Sequence, residues 1–467
     1  MAKSQRRDLT TGPIGPILYK LTAPMVLGIL SMVLFNIIDT YFVSQLGVNE
    51  LTALGFTFPP ILLLFSLVQG VGVGATALIS KSISTGNLNK AARETTDALI
   101  LGIILAGGFS AVGFVFLEPL FKLLGASEEV MPLIVDYMSI WLLAITFVVV
   151  PFVGNSAIRA TGDSRTPALI MLFAVVVNAV LDPLLIWGYG PFPELGIRGA
   201  AIATAISRAF TLILSLWVLY KREKLLTFSI PSWQTLKGCW GAIMRIGLPA
   251  GAARMIVPIS NNVITGILAR IGGTAVAGYA VGRRVEALGG TILFALAATM
   301  GPFAGQNFGK RHFDRILAAN NKSNMFAIAW GIFMAGLMFI FGEDISRAFS
   351  EGPEIAEVAF LYLTIVPITP GFQGTVSIVN TTLNTINRPG LASLIVAVQM
   401  FVFYLPLAFL GARTSGTQGV FVAIAFSYFL GGMISMFVNK RVLVAMDKRE
   451  RESKTVESED AWEKGSS

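Results

Sequence analysis

A chain of 467 residues that is 54% hydrophobic and only 13% charged has too little polar surface to stay dissolved, and a mean hydropathy of +0.71 places it among integral membrane proteins. The net charge of +8 comes from bases scattered through short loops, without the continuous stripe that nucleic acid would need. One cysteine, Cys239, excludes an internal disulfide, and the one histidine, His312, reads as solvated beside Lys310 and Arg311, so neither a metal centre nor a cofactor is expected.

In chain order, residues 1–13 are basic (Lys3, Arg6, Arg7) and show no small-residue cleavage site, which reads as a cytoplasmic amino terminus and not as a removable signal. About twelve apolar runs follow, each of roughly 20 residues or more, enough to cross about 30 Å of hydrocarbon as a helix. The first six fall at roughly 14–46, 51–79, 94–117, 131–157, 166–188 and 196–220. Pro24, Asn36 and Asp39 lie in the first, Tyr137 in the fourth, Met171, Phe173, Asn178, Asp182 and Pro183 in the fifth, and Thr204 in the sixth. In the second run Gly70, Gly72 and Gly74 have no Lys-Ser/Thr behind them, which points to close helix packing and away from a phosphate loop. A polar linker at 221–240 leads to six more runs, at roughly 241–270, 275–302, 315–341, 354–383, 390–411 and 417–441. Residues 442–467 are rich in Glu, Lys and Ser with one aromatic, Trp462, and read as a disordered cytoplasmic tail.

Alternate connections differ in charge. One side carries Lys81, Lys90, Arg93, Arg159, Arg165, Lys221, Arg222, Lys310, Arg311, Arg388 and Lys440, while the other is rich in Glu. The basic side is the cytoplasmic one, so both termini are expected inside a bacterial or archaeal-type cytoplasmic membrane.

The chain also repeats. Ile17 to Pro24 resembles Ala242 to Pro249, Thr76 to Gly86 answers Thr299 to Gly309, Leu181-Asp182-Pro183-Leu184 answers Tyr404-Leu405-Pro406-Leu407, and Gly199 answers Gly419. The common order, at an offset of about 220–225, divides the chain into an amino-terminal lobe, 14–220, and a carboxy-terminal lobe, 241–441. The expected fold is all-α: two pseudo-symmetric six-helix bundles around a central cavity, working by alternating access.

Two acids stand out because an ionisable group in hydrocarbon is costly and therefore usually functional. Asp39 falls about 10 Å below the outer end of the first helix and Asp182 about 9 Å below that of the fifth, so they share a depth. Asn36 and Asn178 lie near one turn below them, and Thr204 and Tyr137 reach a similar level from the returning helices. Such an oxygen set suits either a proton shared between two acids or a sodium ion held by Asp39, Asn178, Asp182 and Thr204. Sharing favours the proton. Pro24 and Pro183 permit bends near both acids. The second lobe lacks the acids, with Leu405 matching Asp182 and Ile264 falling near the match of Asp39.

Arg283, Arg284 and Glu286 form a charged group in the eighth run, read either as an intrahelical pair or as a contact to substrate or an outer gate. Gln373, Asn380 and Gln399 are uncharged polar groups that either line the cavity or join helices. Met171 and Phe173 offer the adaptable apolar wall that promiscuous binding requires.

Pro24 before Asp39, Arg159-Ala160-Thr161-Gly162-Asp163 entering the fifth run, Asn178 to Pro183, and Gly199-Ala200-Ala201-Ile202-Ala203-Thr204 together resemble the multidrug and toxic compound extrusion (MATE) family, above all its DinF-like branch, over residues 10–441. The resemblance implies cation-coupled export of bulky, often cationic and amphipathic compounds. It further implies a coupling-ion site at Asp39, Asn178, Asp182 and Thr204 with Tyr137 nearby, Pro24 as hinge, and Asn155 in the cavity of the same lobe. NorM-like members carry acids in the seventh and tenth helices, where this chain has residues near Ile256 and Gln373.

The expected function is thus a cation-coupled antiporter, proton preferred over sodium, acting as a monomer on small molecules in the bilayer; it is not an enzyme. The rival within the same superfamily is a lipid-linked precursor flippase, which would need a basic cavity. An intramembrane aspartyl protease also pairs two aspartates, but its Gly-x-Gly-Asp motif is absent. Nothing resembles the selectivity filter of a passive channel.

Overall fold

Hydrocarbon offers a backbone no partner but itself, and the chain answers with helices. The computed structural model describes residues 7–465, with side chains as far as 453, and no strand occurs among them. The helices are α1 (Ile14–Ser44), α2 (Val48–Ser84), α3 (Leu88–Leu123), α4 (Met131–Ala160), α5 (Arg165–Ile186) and α6 (Ile197–Trp217), which a π turn (Val218–Arg222) extends. Then come α7 (Trp233–Ala269), α8 (Gly273–Gly309), α9 (Phe313–Phe349), α10 (Pro353–Ile365), α11 (Thr369–Thr385) and α12 (Pro389–Ala397), which runs through a π segment (Val398–Tyr404) into α13 (Leu405–Gly465). Ten of these helical stretches are long and apolar enough to cross a membrane, or eleven with the bent α10–α11 pair counted as one. The last stretch breaks at Ser415 and Gly416 and so holds two spans, which brings the number to twelve.

Two expectations change. The run at 354–383 is not one straight helix: α10 and α11 meet at 58°, because Pro367 and Pro370 withdraw two backbone donors at the junction. The tail expected to be disordered continues α13 as helix to Gly465. Its Lys, Arg and Glu are good helix formers, and Asp447–Arg451 and Lys448–Glu452 pair one turn apart. The 221–240 linker is packed in place: Leu225 is buried, Thr227 N–H donates to Thr96 Oγ1 at 3.0 Å, and Trp240 Nε1 donates to the Asp97 carbonyl at 2.9 Å.

The chain forms two compact units, and two of the limits between them fall inside helices, α1 and α7. One unit holds Ala23–Gly251, and the other holds Asp8–Thr22 together with Ala252 onward. The expected lobes, 14–220 and 241–441, each have most of their residues in one of these units. In the second unit Leu9, Leu18 and Leu21 pack among Leu293, Met300 and Phe303, and the Leu9 backbone bonds Gln306 and Asn307. Polar composition locates loops, whereas a compact unit is defined by contacts that a continuous helix can exchange midway.

Within the first unit α7 lies against α2 along a stripe without side chains. A Cβ added at Gly70 would overlap the Gly247 carbonyl, one at Gly74 the Ile243 carbonyl, and one at Gly251 the Ser66 carbonyl at 2.9 Å. Backbones this close gain dispersion that bulkier residues would forfeit. The α4–α5 turn is tied down by charge. Asp163 Oδ1 accepts from the N–H groups of Arg165 and Thr166, capping α5, while Arg222 reaches from the end of α6 to Asp163 Oδ2 at 2.5 Å and to Thr166 Oγ1 at 2.7 Å. Burial alone would raise the Asp163 carboxyl, but the Thr166 and Arg222 hydrogen bonds and the guanidinium charge outweigh it and hold the group below its ordinary 3.8.

Two outcomes follow from this packing. Gly74→Leu should lower the thermal stability of the detergent-purified protein by about 1–3 kcal/mol, while Gly107→Leu, which meets open space, should change it little; equal losses would contradict the stripe. Because the folded Asp163 binds its proton more weakly than the unfolded chain does, its contribution is present above about pH 3.8 and fades as pH falls through the lower folded value. The melting gap between wild type and Asp163→Asn should accordingly be wide at pH 6 and close in acid, a trend that thermal scans at both pH values would test.

Candidate functional site

α5 and α6 are drawn together where the chain turns between them. Leu195 and Gly196 donate to the carbonyls of Leu185 and Ile186 at 3.1 Å, and the space beside Gly199 is filled by the Leu185 carbonyl, which only a glycine admits. α1 meets α5 at Gly28 and Ala168, where an added Cβ would come within 3.3 Å. These contacts carry Asp182 on α5, Thr204 on α6 and Asp39 on α1 into one buried neighbourhood, to which α4 contributes Tyr137.

The polar side chains are largely closed off: Asn178 and Asp182 have no exposed surface, Tyr137 is 3% exposed, and Asp39 and Thr204 are each 8% exposed. Asn178 Nδ2 donates to Asp182 Oδ1 at 2.9 Å, one turn away on the same helix. Thr204 Oγ1 donates to Asp39 Oδ1 across helices at a long 3.4 Å. Asp182 Oδ2 and Asn178 Oδ1, both buried, have no donor among the described residues. The two carboxylates act on each other electrostatically, and both act on Tyr137. Acceptor oxygens therefore outnumber donors here, and a proton or a small cation with hard-oxygen preference restores the balance.

Not every expected residue joins this group. Asn36 is exposed and donates to the Met32 carbonyl of its own helix at 3.0 Å. At 3.6 residues per turn, position i−3 sits about 60° to one side of Asp39, whereas Phe35 at i−4 stays on the buried face and is 4% exposed. α1 runs unbroken through Pro24, which directly follows the limit between Thr22 and Ala23, and Pro183 lies in the last turn of α5. Asn155 on α4 is buried with Oδ1 lacking a donor among the described residues. Met171 is half-buried, and Phe173 is exposed, edge-to-face with Phe210 at 6.2 Å.

One residue absent from the sequence reading belongs here. Arg208, one turn beyond Thr204, places its guanidinium carbon 4.2 Å from the centre of the Phe35 ring. A base well inside the apolar run 196–220, ten residues past Arg198 at its start, was the available signal.

In the second unit Arg283 and Glu286 form an ion pair at 2.7 Å, and the Tyr362 hydroxyl donates to the same carboxylate oxygen. Gln399 Nε2 donates to Gln373 Oε1 at 2.8 Å, so these two join α11 to the π segment, while Asn380 is half-buried. Around the positions that match the first unit's acids the chemistry is neutral: Ile264 is fully buried, the Tyr404 hydroxyl donates to Asn261 Oδ1 at 2.9 Å, and Tyr404 stacks on Tyr428.

Comparison with known proteins agrees with the repeat. The MatE family model matches residues 24–184 and again 249–410. A protein of Shewanella oneidensis described as an FAD transporter is 36% identical over 94% of this chain and 97% of its own. The multidrug export protein MepA of Staphylococcus aureus is 24% identical over 91% of this chain and 93% of its own. Among solved structures, the MATE transporter VcmN of Vibrio cholerae in its bent form superposes with a TM-score of 0.88 at 28% identity, covering 93% of this chain and 98% of that one.

The geometry separates the two asparagines. Asn178→Ala removes the donor to a buried carboxylate and should slow transport at least about tenfold at unchanged protein yield, while Asn36→Ala should stay within about twofold of wild type. Transport by cells expressing each variant at matched levels would check this, and equal losses would mean that Asn36 acts at the site after all.

Proposed function

The chain belongs to the MatE family of membrane transporters, and on that footing we propose that it is a proton-coupled antiporter, exporting amphipathic and often cationic small molecules by alternating access. The observation that carries this reading is the buried pairing of Asp182 with Asn178 and of Asp39 with Thr204 within one unit, at positions whose counterparts in the second unit are uncharged. Open to the outside, the site takes up a cation on the carboxylates, loses its negative charge and lets substrate go. Open to the cytoplasm it gives up the cation, and the restored charge favours a new cationic substrate. A proton suits the pair better than sodium, since two acids in a water-poor interior share one proton more cheaply than both ionise. The basic loops favour the cytoplasmic face for both termini.

A second reading concerns cargo. The 36% identity to the Shewanella FAD transporter favours a flavin nucleotide as the exported molecule, carried by the same coupling site.

Purified protein in proteoliposomes, offered a cationic dye and FAD separately, should move at least one of them when a pH gradient is imposed and neither when a sodium gradient alone is imposed. Asp39→Asn should abolish this movement while eluting as a folded, monodisperse protein. Undiminished coupled transport by Asp39→Asn would refute the site, and drive by sodium alone would refute the proton.

A further inference from the structure

The neighbourhood of Asp39 contains a positive charge, the guanidinium of Arg208. α1 and α6 lie side by side with two contacts one turn apart: Asp39 with Thr204, and, a turn further from the end of α1, Phe35 with Arg208. The step between them is about 5.4 Å, which an arginine side chain can span by changing rotamers. Arg208 rests on the ring, and from there its charge acts on Asp39 and on Tyr137. The two carboxylates are unequally served. Asp182 has a strong donor in Asn178 at 2.9 Å, whereas Asp39 has only the 3.4 Å contact from Thr204, so Asp39 is the one with room for a stronger donor. A guanidinium can supply two parallel N–H groups to one carboxylate.

The repeat gives a control. Counting from the Gly199 and Gly419 match, Arg208 corresponds to Tyr428 and Thr204 to Ile424; counting from Pro24 and Pro249, Asp39 corresponds to Ile264 and Phe35 to Ser260. At the aligned positions the acid, the base and the ring beneath it are all replaced, and the charges near Tyr428 come instead from Arg283 and Glu286, which pair with each other on one helix.

We propose that Arg208 is a tethered counter-cation, which leaves the Phe35 ring for the Asp39 carboxylate when the site is empty, so that Asp39 is reserved against sodium and Asp182 carries the exchangeable proton. The inference rests on the antiport reading above and deepens it, for it makes ion selectivity a property of this arginine. Arg208 is a positioning residue that acts through Asp39. In a medium of low dielectric a resident guanidinium repels an alkali ion as strongly as it attracts the carboxylate, so both effects exclude sodium. Asp182, outside its grip, keeps an unpaired oxygen for a proton.

The test is equilibrium binding of radioactive sodium to the purified full-length protein, which needs no transport. Wild type should bind little, Arg208→Gln should bind at least about tenfold more tightly, and Arg208→Lys, which keeps the charge, should resemble wild type. The double variant Asp39→Asn/Arg208→Gln should lose the gain. Arg208→Met preserves the apolar stem and replaces Arg208→Gln should the latter fail to fold. Equal sodium binding by wild type and the neutral variants would overturn the inference, and so would a gain that survives Asp39→Asn. If wild-type proteoliposomes respond to the pH gradient while Arg208→Gln binds no sodium, this inference alone fails. If neither gradient drives the wild type, the antiport reading fails and carries the inference with it.

Discussion

A carboxylate surrounded by hydrocarbon must be given partners by the protein, since lipid supplies none. The first unit is arranged around that requirement. Asp163, capped and held by Arg222, fixes where α5 starts; the glycine at 199 lets α6 close against its other end; the result is that Asn178, Asp182 and Thr204 arrive at fixed places. None of these supports belongs to the pair of acids itself. They determine whether two acids on separate helices can act as one group, and hence whether uptake of a single charge can alter the unit that holds them.

The second unit shows the same scaffold without that demand. Its one acid near the middle of a span, Glu286, is held by Arg283 from its own helix and by the Tyr362 hydroxyl. In a pair of this kind the charge is answered within one helix, with the guanidinium and the hydroxyl meeting on the same carboxylate oxygen. The tyrosines at 404 and 428 stack on each other beside that pair. Two copies of one architecture thus differ in polar inventory, with the helical scaffold retained.

What could be read from the residues depended on range. Hydropathy is local, so the spans were legible, as were Asp39, Asn178, Asp182 and Thr204, whose depth follows from counting along single helices. The position of Asn36 was not, because depth alone says nothing about azimuth; three residues back from Asp39 is the right height on the wrong side. The bend between α10 and α11 was masked by averaging over a window, although both prolines stood in plain sight. Arg208 escaped because an arginine four residues past a recognised site residue draws no notice until the aromatic partner on another helix is known. The helical tail was hidden by reading high charge as lack of structure, when charges spaced one turn apart support a helix.

The limits of the two compact units have a consequence for ancestry. The repeat begins afresh near residue 241, yet 233–251 packs with the first copy and 8–22 with the second. Each inherited half lends its partner the opening stretch of its own leading helix. A gene severed at the junction would therefore part each compact unit from a helix segment that packs within it.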